Sequence, residues 1–338
     1  MMKIMRFIIV FLGILLATLL LAACVNQGGI SENEPPEAEL EVIPEAISKA
    51  ENGVIEKVVL QSSALGKEMV SLVCLPAGYD PSIQYPVLYF LPGYGIASAE
   101  AMIYDYDIAK TADRLIGDNQ IYPMIIVALG ADNSFGLNSA TESDVIWIYG
   151  MKLHVGMYED YIIHEAIPYI DEHFSTDPTR NGRYIGGYSM GGYAAMHLAF
   201  SHPDMFTKVG AHSPTVIPDL TELLDSSEWL DFPDIFVKWL YPDKEAYYER
   251  DPIQLAKAND LSGLSVYVDR EEEMIAKIVE ETEETGIAPV HGADILYEVL
   301  SDEGMEVEFH SYPGQHSNSQ CKKNMEKYLI FYGTERGK

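Results

Sequence analysis

Gly186-Gly187-Tyr188-Ser189-Met190-Gly191-Gly192 follows the short apolar run Arg183 to Ile185 and leads straight into an Ala-rich stretch of helical character. Few segments constrain a fold so tightly. A strand that bends at once into a helix forces the serine at the corner into a strained conformation. The residues two before and two after it must lack side chains to avoid colliding. Gly187 and Gly191 hold those two places. The bend lifts Ser189 Oγ clear of the sheet, and the helix beginning near Met190 directs its N-terminal N–H groups at any oxygen that carries negative charge. Ser189 is therefore read as a nucleophile.

The surrounding chain supplies the sheet that such a corner needs. Val54 to Gln61 and Met69 to Leu75 read as paired antiparallel strands, closed by the turn residues Ala77 to Pro81. Pro86 to Leu91 and Tyr122 to Leu129 are continuous apolar runs, the signature of strands buried on both faces. Tyr158 to Phe174 has helical apolar spacing. Lys208 to His212, Leu264 to Val268 and Val307 to Ser311 are further strands, with helices over Gly292 to Ser301 and Ser319 to Tyr332. Strands alternating with helices predict an α/β fold with a mostly parallel central sheet and helices on both faces. Residues 214–252 interrupt the alternation with Trp229, Phe232, Phe236, Trp239, Tyr241, Tyr247 and Tyr248 among acids. This insertion is expected either to cap the site or to pack as a surface subdomain.

The first residues carry a separate signal. Lys3 and Arg6 precede an apolar run from Phe7 to Leu21, which ends in Leu21-Ala22-Ala23-Cys24. This reads as a lipoprotein signal peptide over 1–23, with the Cys24 thiol receiving a diacylglyceryl group and becoming the new N-terminus. Residues 24–50 are rich in Glu and Pro and lack a sustained apolar period, so they are expected to form a disordered acidic tether. The remaining 51–338 are enough for one large domain. A formal net charge of −30 excludes nucleic acid as a partner and disfavours polyanionic substrates. Apart from Cys24 only Cys74 and Cys321 occur, and they are read as two buried thiols, with a single bridge between them as the alternative, not as a disulfide framework or metal site. No metal or dinucleotide motif is present, so no cofactor is expected.

A serine needs a base to take its proton. Of nine histidines, His316 is the best placed, in the loop Tyr312 to Ser317 just after the last predicted strand. His310 lies on that strand and is expected to be a packed side chain. His154, His164, His173, His197 and His202 fall on or near helices, where ordinary packing roles are the default. His212 could line the pocket. The orienting carboxylate should follow the strand Leu264 to Val268, where Asp269-Arg270-Glu271-Glu272-Glu273 offers four acids. Glu272 is favoured over Asp269, Glu271 and Glu273, the others being read as a solvated helix N-terminus. Backbone N–H groups of Met190 and Tyr94, the latter flanked by Gly93 and Gly95, are the candidate oxyanion donors.

The segments Val87 to Gly95, Ile163 to Asp171 with Phe174, Gly187 to Ala195, and Gly314-Gln315-His316 together resemble the esterase family of α/β-hydrolases. That family contains S-formylglutathione hydrolases, feruloyl and acetylxylan esterases, enterochelin esterases and mycolyltransferases. The resemblance runs from about Val54 to Tyr332 and implies an α/β-hydrolase fold with Ser189 as nucleophile, His316 as base and the Tyr94 and Met190 amides as oxyanion hole. Two departures stand out. Pro92-Gly93 replaces a His-Gly common in relatives, and a shorter acidic run without glycine replaces the usual Gly-x-x-Asp; setting Met274-Ile275 against the family's apolar pair puts Glu272 at the acid position. The expected activity is that of an extracellular, membrane-tethered serine esterase, a bacterial lipoprotein acting on small-molecule or glycan-linked carboxylic esters such as feruloyl or acetyl esters. The rival readings are an acyltransferase using the same triad and a non-catalytic surface binding protein on a hydrolase scaffold.

Overall fold

The computed structural model describes residues 53–96, 98–139, 147–148, 151–217, 220–225, 235–272 and 292–334. The signal peptide, Cys24 and the acidic tether lie outside them, as does Glu273. In chain order the strands are β1 (Val54–Ser62), β2 (Lys67–Leu75), β3 (Val87–Leu91), β4 (Ile125–Ala128), β5 (Trp147–Ile148), β6 (Met151–Lys152), β7 (Arg183–Tyr188), β8 (Lys208–His212), β9 (Ser265–Glu271) and β10 (Val307–Tyr312). The α-helices are α1 (Ala99–Asp105), α2 (Ile108–Gly117), α3 (Tyr158–Asp160), α4 (Ile167–His173), α5 (Met190–Ser201), α6 (Thr221–Leu224), α7 (Ile235–Leu240), α8 (Lys244–Arg250), α9 (Pro252–Ala258), α10 (Gly292–Asp302) and α11 (Asn318–Gly333).

Eight strands form one sheet in the order β1-β2-β4-β3-β7-β8-β9-β10. β1 with β2 and β2 with β4 are antiparallel, and every later pairing is parallel. β3, β4, β7 and β8 are buried along their whole length, because helices cover both faces and leave alternation nothing to distinguish. One face carries α4, α5, α9 and α10 on a core containing Ile185, Leu198, Val209, Val266 and Leu296. The other carries α1, α2 and α11 on a core containing Phe90, Tyr188, Tyr267, Tyr328 and Tyr332. α5 is buried from Met190 to Phe200, as a helix apolar all round must be. Cys74 and Cys321 are free thiols buried in the second of these cores. No helix of the described residues is long and apolar enough to cross a membrane.

Two elements differ from the sequence expectation. The helix expected over Tyr158 to Phe174 widens into a π-helical segment, Tyr161–Ala166, directly before Pro168. Proline offers no N–H to the preceding turn. β9 does not stop at Val268 but continues to Glu271. Asp269 pairs in register with His310, and Glu271 with Tyr312. Asp269 and Glu271, read as part of a helix start, are therefore strand residues, and with Tyr267 they share one face by the two-residue period.

Candidate active site

The C-terminal ends of β3, β7, β8, β9 and β10 all deliver their following residues to one rim of the sheet. This is where open parallel sheets present chemistry. At the end of β7 the chain makes its corner at Ser189, with φ 56° and ψ −114°, a conformation costly for a residue with a side chain. Neighbouring backbone enforces it. A Cβ on Gly187 would stand 2.8 Å from Gly191 Cα, and one on Gly191 would lie 2.7 Å from the Pro92 carbonyl oxygen and nearer still to that of Leu91. The corner and the loop after β3 are thus packed backbone on backbone. Ser189 N–H donates to the His212 carbonyl at 2.9 Å, and Thr215 N–H donates to the Ser189 carbonyl at 3.3 Å.

His316 lies 2.8 Å from Ser189 Oγ through Nε2, and its Nδ1 lies 3.3 Å from Glu271 Oε2. With Nδ1–H turned to the carboxylate, Nε2 presents a lone pair to the serine hydroxyl. Ser189 and His316 are only 3% and 6% exposed. The carboxylate at the imidazole is therefore Glu271, not Glu272. Glu272 is solvent-exposed on the opposite face of the chain and, among the described residues, accepts only a long 3.4 Å bond from Ser311 Oγ. Asp269 also reaches the interior but stands against Ser213 and His212. Burial pushes the Glu271 carboxyl up, but the facing His316 charge and bonds from His316, Ser213 and Tyr188 outweigh it and hold the group down to about 2.

Tyr188, the residue before the serine, joins these parts. Its ring stacks on His316 with centroids 4.8 Å apart and planes 14° apart. Its hydroxyl donates to Glu271 Oε1 at 3.1 Å and accepts the Ser317 N–H at 2.9 Å. Sequence reasoning assigned it no role. Its signal was available: on β7 it shares a face with Tyr184, the face that meets α11.

Met190 opens α5, so its N–H has no partner within the helix. Tyr94 follows Gly93 on the loop packed against that corner. This loop is pinned by residues far along the chain. Gly95 N–H donates to Asn133 Oδ1 at 2.9 Å, Asn133 Nδ2–H donates to the Lys152 carbonyl at 3.0 Å, and the Tyr94 hydroxyl donates to the Met151 carbonyl at 3.1 Å. Asn133 left no mark in the sequence, since its partner is 38 residues away.

The described part of the 214–252 insertion rests on this same corner. Tyr94, Met190, Phe135 and Tyr193 form one apolar cluster with Ile217, Leu220, Val237, Trp239, Tyr241 and Tyr247. Phe135 holds a left-handed φ of 58°, which a bulky residue rarely tolerates. Its ring touches those of Tyr193 and Trp239 at centroid distances of 5.5 and 5.9 Å. The Tyr193 hydroxyl donates to the Arg250 carbonyl at 2.9 Å, tying the insertion to α5. His212 does not line a pocket: it is fully buried beneath the corner. His310 is partly exposed on edge strand β10, stacked on Tyr267 and Tyr312. His197 and His202 both bind Glu159, at 3.1 and 2.8 Å, away from the serine. Among the described residues no cluster of three or more histidine, cysteine or acidic residues suits a metal ion.

A hydroxyl, an imidazole and a carboxylate in series at a strand-to-helix corner define a serine hydrolase of the α/β-hydrolase class, and the comparisons with known proteins agree. Residues 62–332 match the family model Esterase, described as "Putative esterase", and the chain belongs to that family of carboxylic ester hydrolases. The uncharacterized protein YjcH of Bacillus subtilis (strain 168) is 25% identical over 181 residues, 52% of this chain and 68% of that protein. A ferulic acid esterase structure superposes with a TM-score of 0.60 at 21% identity, covering 83% of this chain and 98% of its own. An S-formylglutathione hydrolase from Agrobacterium tumefaciens does so with a TM-score of 0.60 at 18% identity, covering 85% and 96%.

Proposed function

We propose that this esterase is a lipid-anchored enzyme of the outer face of the cell membrane that cleaves acyl esters of sugars or phenolics through an acyl-enzyme. Ser189 Oγ attacks the ester carbonyl while His316 Nε2 takes its proton. Glu271 holds the imidazole and stabilises it as it becomes charged. The carbonyl oxygen, now an oxyanion, is received by the N–H groups of Tyr94 and Met190. As the intermediate collapses, the C–O bond to the alcohol breaks and His316 Nε2–H protonates the departing alkoxide. Water then attacks the acyl-serine, gives its proton to His316, and releases the carboxylic acid with Ser189 restored. The observation that carries the reading is the 2.8 Å approach of His316 Nε2 to Ser189 Oγ across 127 residues of chain.

A ferulic acid esterase is among the similar structures, which favours a flat phenolic acyl group. The net charge of −30 favours uncharged esters and repels the carboxylate product, which helps it leave. The anchor rests on Lys3, Arg6, the run to Leu21 and the Ala22-Ala23-Cys24 junction.

Incubation with a fluorophosphonate probe tests the chemistry. Wild type takes up one label and Ser189→Ala none; an unlabelled wild type overturns the reading. Rates on feruloylated sugars, acetylated sugars and short-chain aryl esters then rank the substrates. Negligible turnover of every sugar and aryl ester by a chain that takes up the label would refute the assigned class. For the anchor, the Cys24→Ala chain should leave the detergent phase that wild type enters.

A further inference from the structure

Asp269 is as deeply buried as any side chain in the protein, lies two residues before Glu271 on the same face of β9, and takes no part in the relay just described. Its contacts lead to the nucleophile by another route. Asp269 Oδ1 accepts both the Ser213 N–H, at 2.8 Å, and the Ser213 Oγ–H, at 3.2 Å. Its Oδ2 faces His212 Nδ1 at 3.5 Å. The His212 ring is sandwiched between Tyr328, at a centroid distance of 3.5 Å, and Phe90, at 5.9 Å, and its Nε2 lies 3.0 Å from the Tyr332 hydroxyl. Burial pushes this imidazole down, toward its neutral form, against the pull of Asp269. Neutral, it accepts from Tyr332 through Nε2, which leaves its Nδ1–H facing Asp269 Oδ2 without a hydrogen bond between them.

Residues His212 to Thr215 are the turn that grips Ser189 on both sides: the His212 carbonyl takes the serine's N–H and Thr215 N–H reaches its carbonyl. Ser213, inside that turn, holds a left-handed φ of 46°. The first turn of α5 leans on the same turn, since a Cβ on Gly192 would lie 3.3 Å from His212 N and from Pro214 Cα. Two strained residues, Ser189 and Ser213, thus face each other across two backbone hydrogen bonds. Such a pair relaxes unless something external holds it. The Ser213 hydroxyl also faces Glu271, but among the described contacts Asp269 alone bonds the Ser213 amide as well as its hydroxyl.

We infer that Asp269 is a positioning residue for the nucleophile: by fixing Ser213 it locks the His212–Thr215 turn, and through that turn it holds Ser189 in its attacking conformation. The inference rests on the esterase reading above. It assigns the active site a second carboxylate, one serving the serine while Glu271 serves the imidazole. A misplacement of the attacking oxygen by about 1 Å costs on the order of 100-fold in rate. It does so without weakening substrate binding, so the loss belongs in kcat.

The test measures kcat and KM on an aryl ester for wild type, Asp269→Ala, Asp269→Asn and Ser213→Ala, each normalised to the sites titrated by fluorophosphonate, so that unfolded protein is not counted. Asp269→Ala is expected to lose about 30- to 100-fold in kcat per titrated site with KM within about twofold. Asp269→Asn keeps an acceptor for Ser213 and should stay within about fivefold of wild type, and Ser213→Ala should fall about five- to tenfold. Wild-type kcat per titrated site in Asp269→Ala overturns the inference, however unstable that variant is. If Asp269→Ala does not fold, Ser213→Ala decides: an unchanged kcat overturns the inference. A wild-type chain that neither labels nor hydrolyses esters defeats the esterase reading itself, and the inference falls with it. An active wild type with unaffected variants defeats only the inference.

Discussion

Replacing Glu271 with glutamine removes one charge while leaving the shape of the site, and the structure sets the size of the effect. The carboxylate stands 3.3 Å from His316 Nδ1. A unit charge at that distance from an imidazolium is worth about 5 kcal/mol at an effective dielectric of about 20. The imidazole is neutral before attack and charged in the transition state, so nearly all of that energy appears in the barrier. At about 1.4 kcal/mol per tenfold, kcat should fall by about 10³- to 10⁴-fold. The amide adds a second fault. An NH₂ turned toward Nδ1 favours the tautomer with its hydrogen on Nε2, which cannot receive the serine proton. Glu272→Gln is the control, because that side chain is exposed and among the described residues bonds only Ser311; it should stay within about twofold. Steady-state hydrolysis of an aryl ester, with sites counted by fluorophosphonate, reads both. A Glu271→Gln enzyme within tenfold of wild type, or a Glu272→Gln enzyme that collapses instead, would refute the assignment. Since Glu271 is held down to about 2 from an ordinary 4.5, its titration should not be what shapes the acid limb of the wild-type profile.

Further expectations follow from the packing. Gly191→Ala drives a methyl into the Leu91 and Pro92 carbonyls; it should cost about 1–3 kcal/mol in stability and about 100-fold or more in kcat as the oxyanion loop is displaced, seen by thermal melts and kinetics. Lys208 is buried and donates to the carbonyls of Phe331, Tyr332 and Thr334 at the end of α11. Lys208→Met should therefore lose about 2–4 kcal/mol, measured by urea unfolding. Burial raises the Glu159 carboxyl, but its bonds to His197 and His202 win and depress it well below its ordinary 4.5. A depressed carboxylate lends stability above that value and loses it as the pH falls further. Wild type should therefore melt above Glu159→Gln at neutral pH, with the gap closing below about pH 4. A gap independent of pH would refute the assignment.

Much of the sheet was legible because buried strands write themselves as apolar runs: Val87 to Leu91 and Lys208 to His212 appear as strands within a residue of expectation, and the run that starts at Arg183 continues as strand to Tyr188. The corner was legible because two glycines flank a serine for steric reasons that no other residue satisfies. The carboxylate was not. Charged residues ordinarily end a strand, so Asp269 to Glu273 looked like a helix start. In fact Asp269 and Glu271 keep the two-residue period of Tyr267 and point into a core where Ser213, His316 and Tyr188 receive them. Carrying that alternation three residues further selects Glu271 over Glu272. Asn133 and His212 were opaque for a different reason. Their roles lie in contacts with Gly95 and with Ser189, far away along the chain, and local spacing carries no trace of them.

Because the imidazole arrives 127 residues after the serine, the ribosome releases the reactive corner first. At about 5–20 residues per second the hydroxyl emerges roughly 6 to 25 seconds before the group that arms it. The growing chain is inert toward the esters around it, and a product cut short before Gly314 stays so. Competence is conferred by the stretch that carries His316, whose following helix also brings Tyr328 and Tyr332 against His212. Synthesis itself acts as the safety catch.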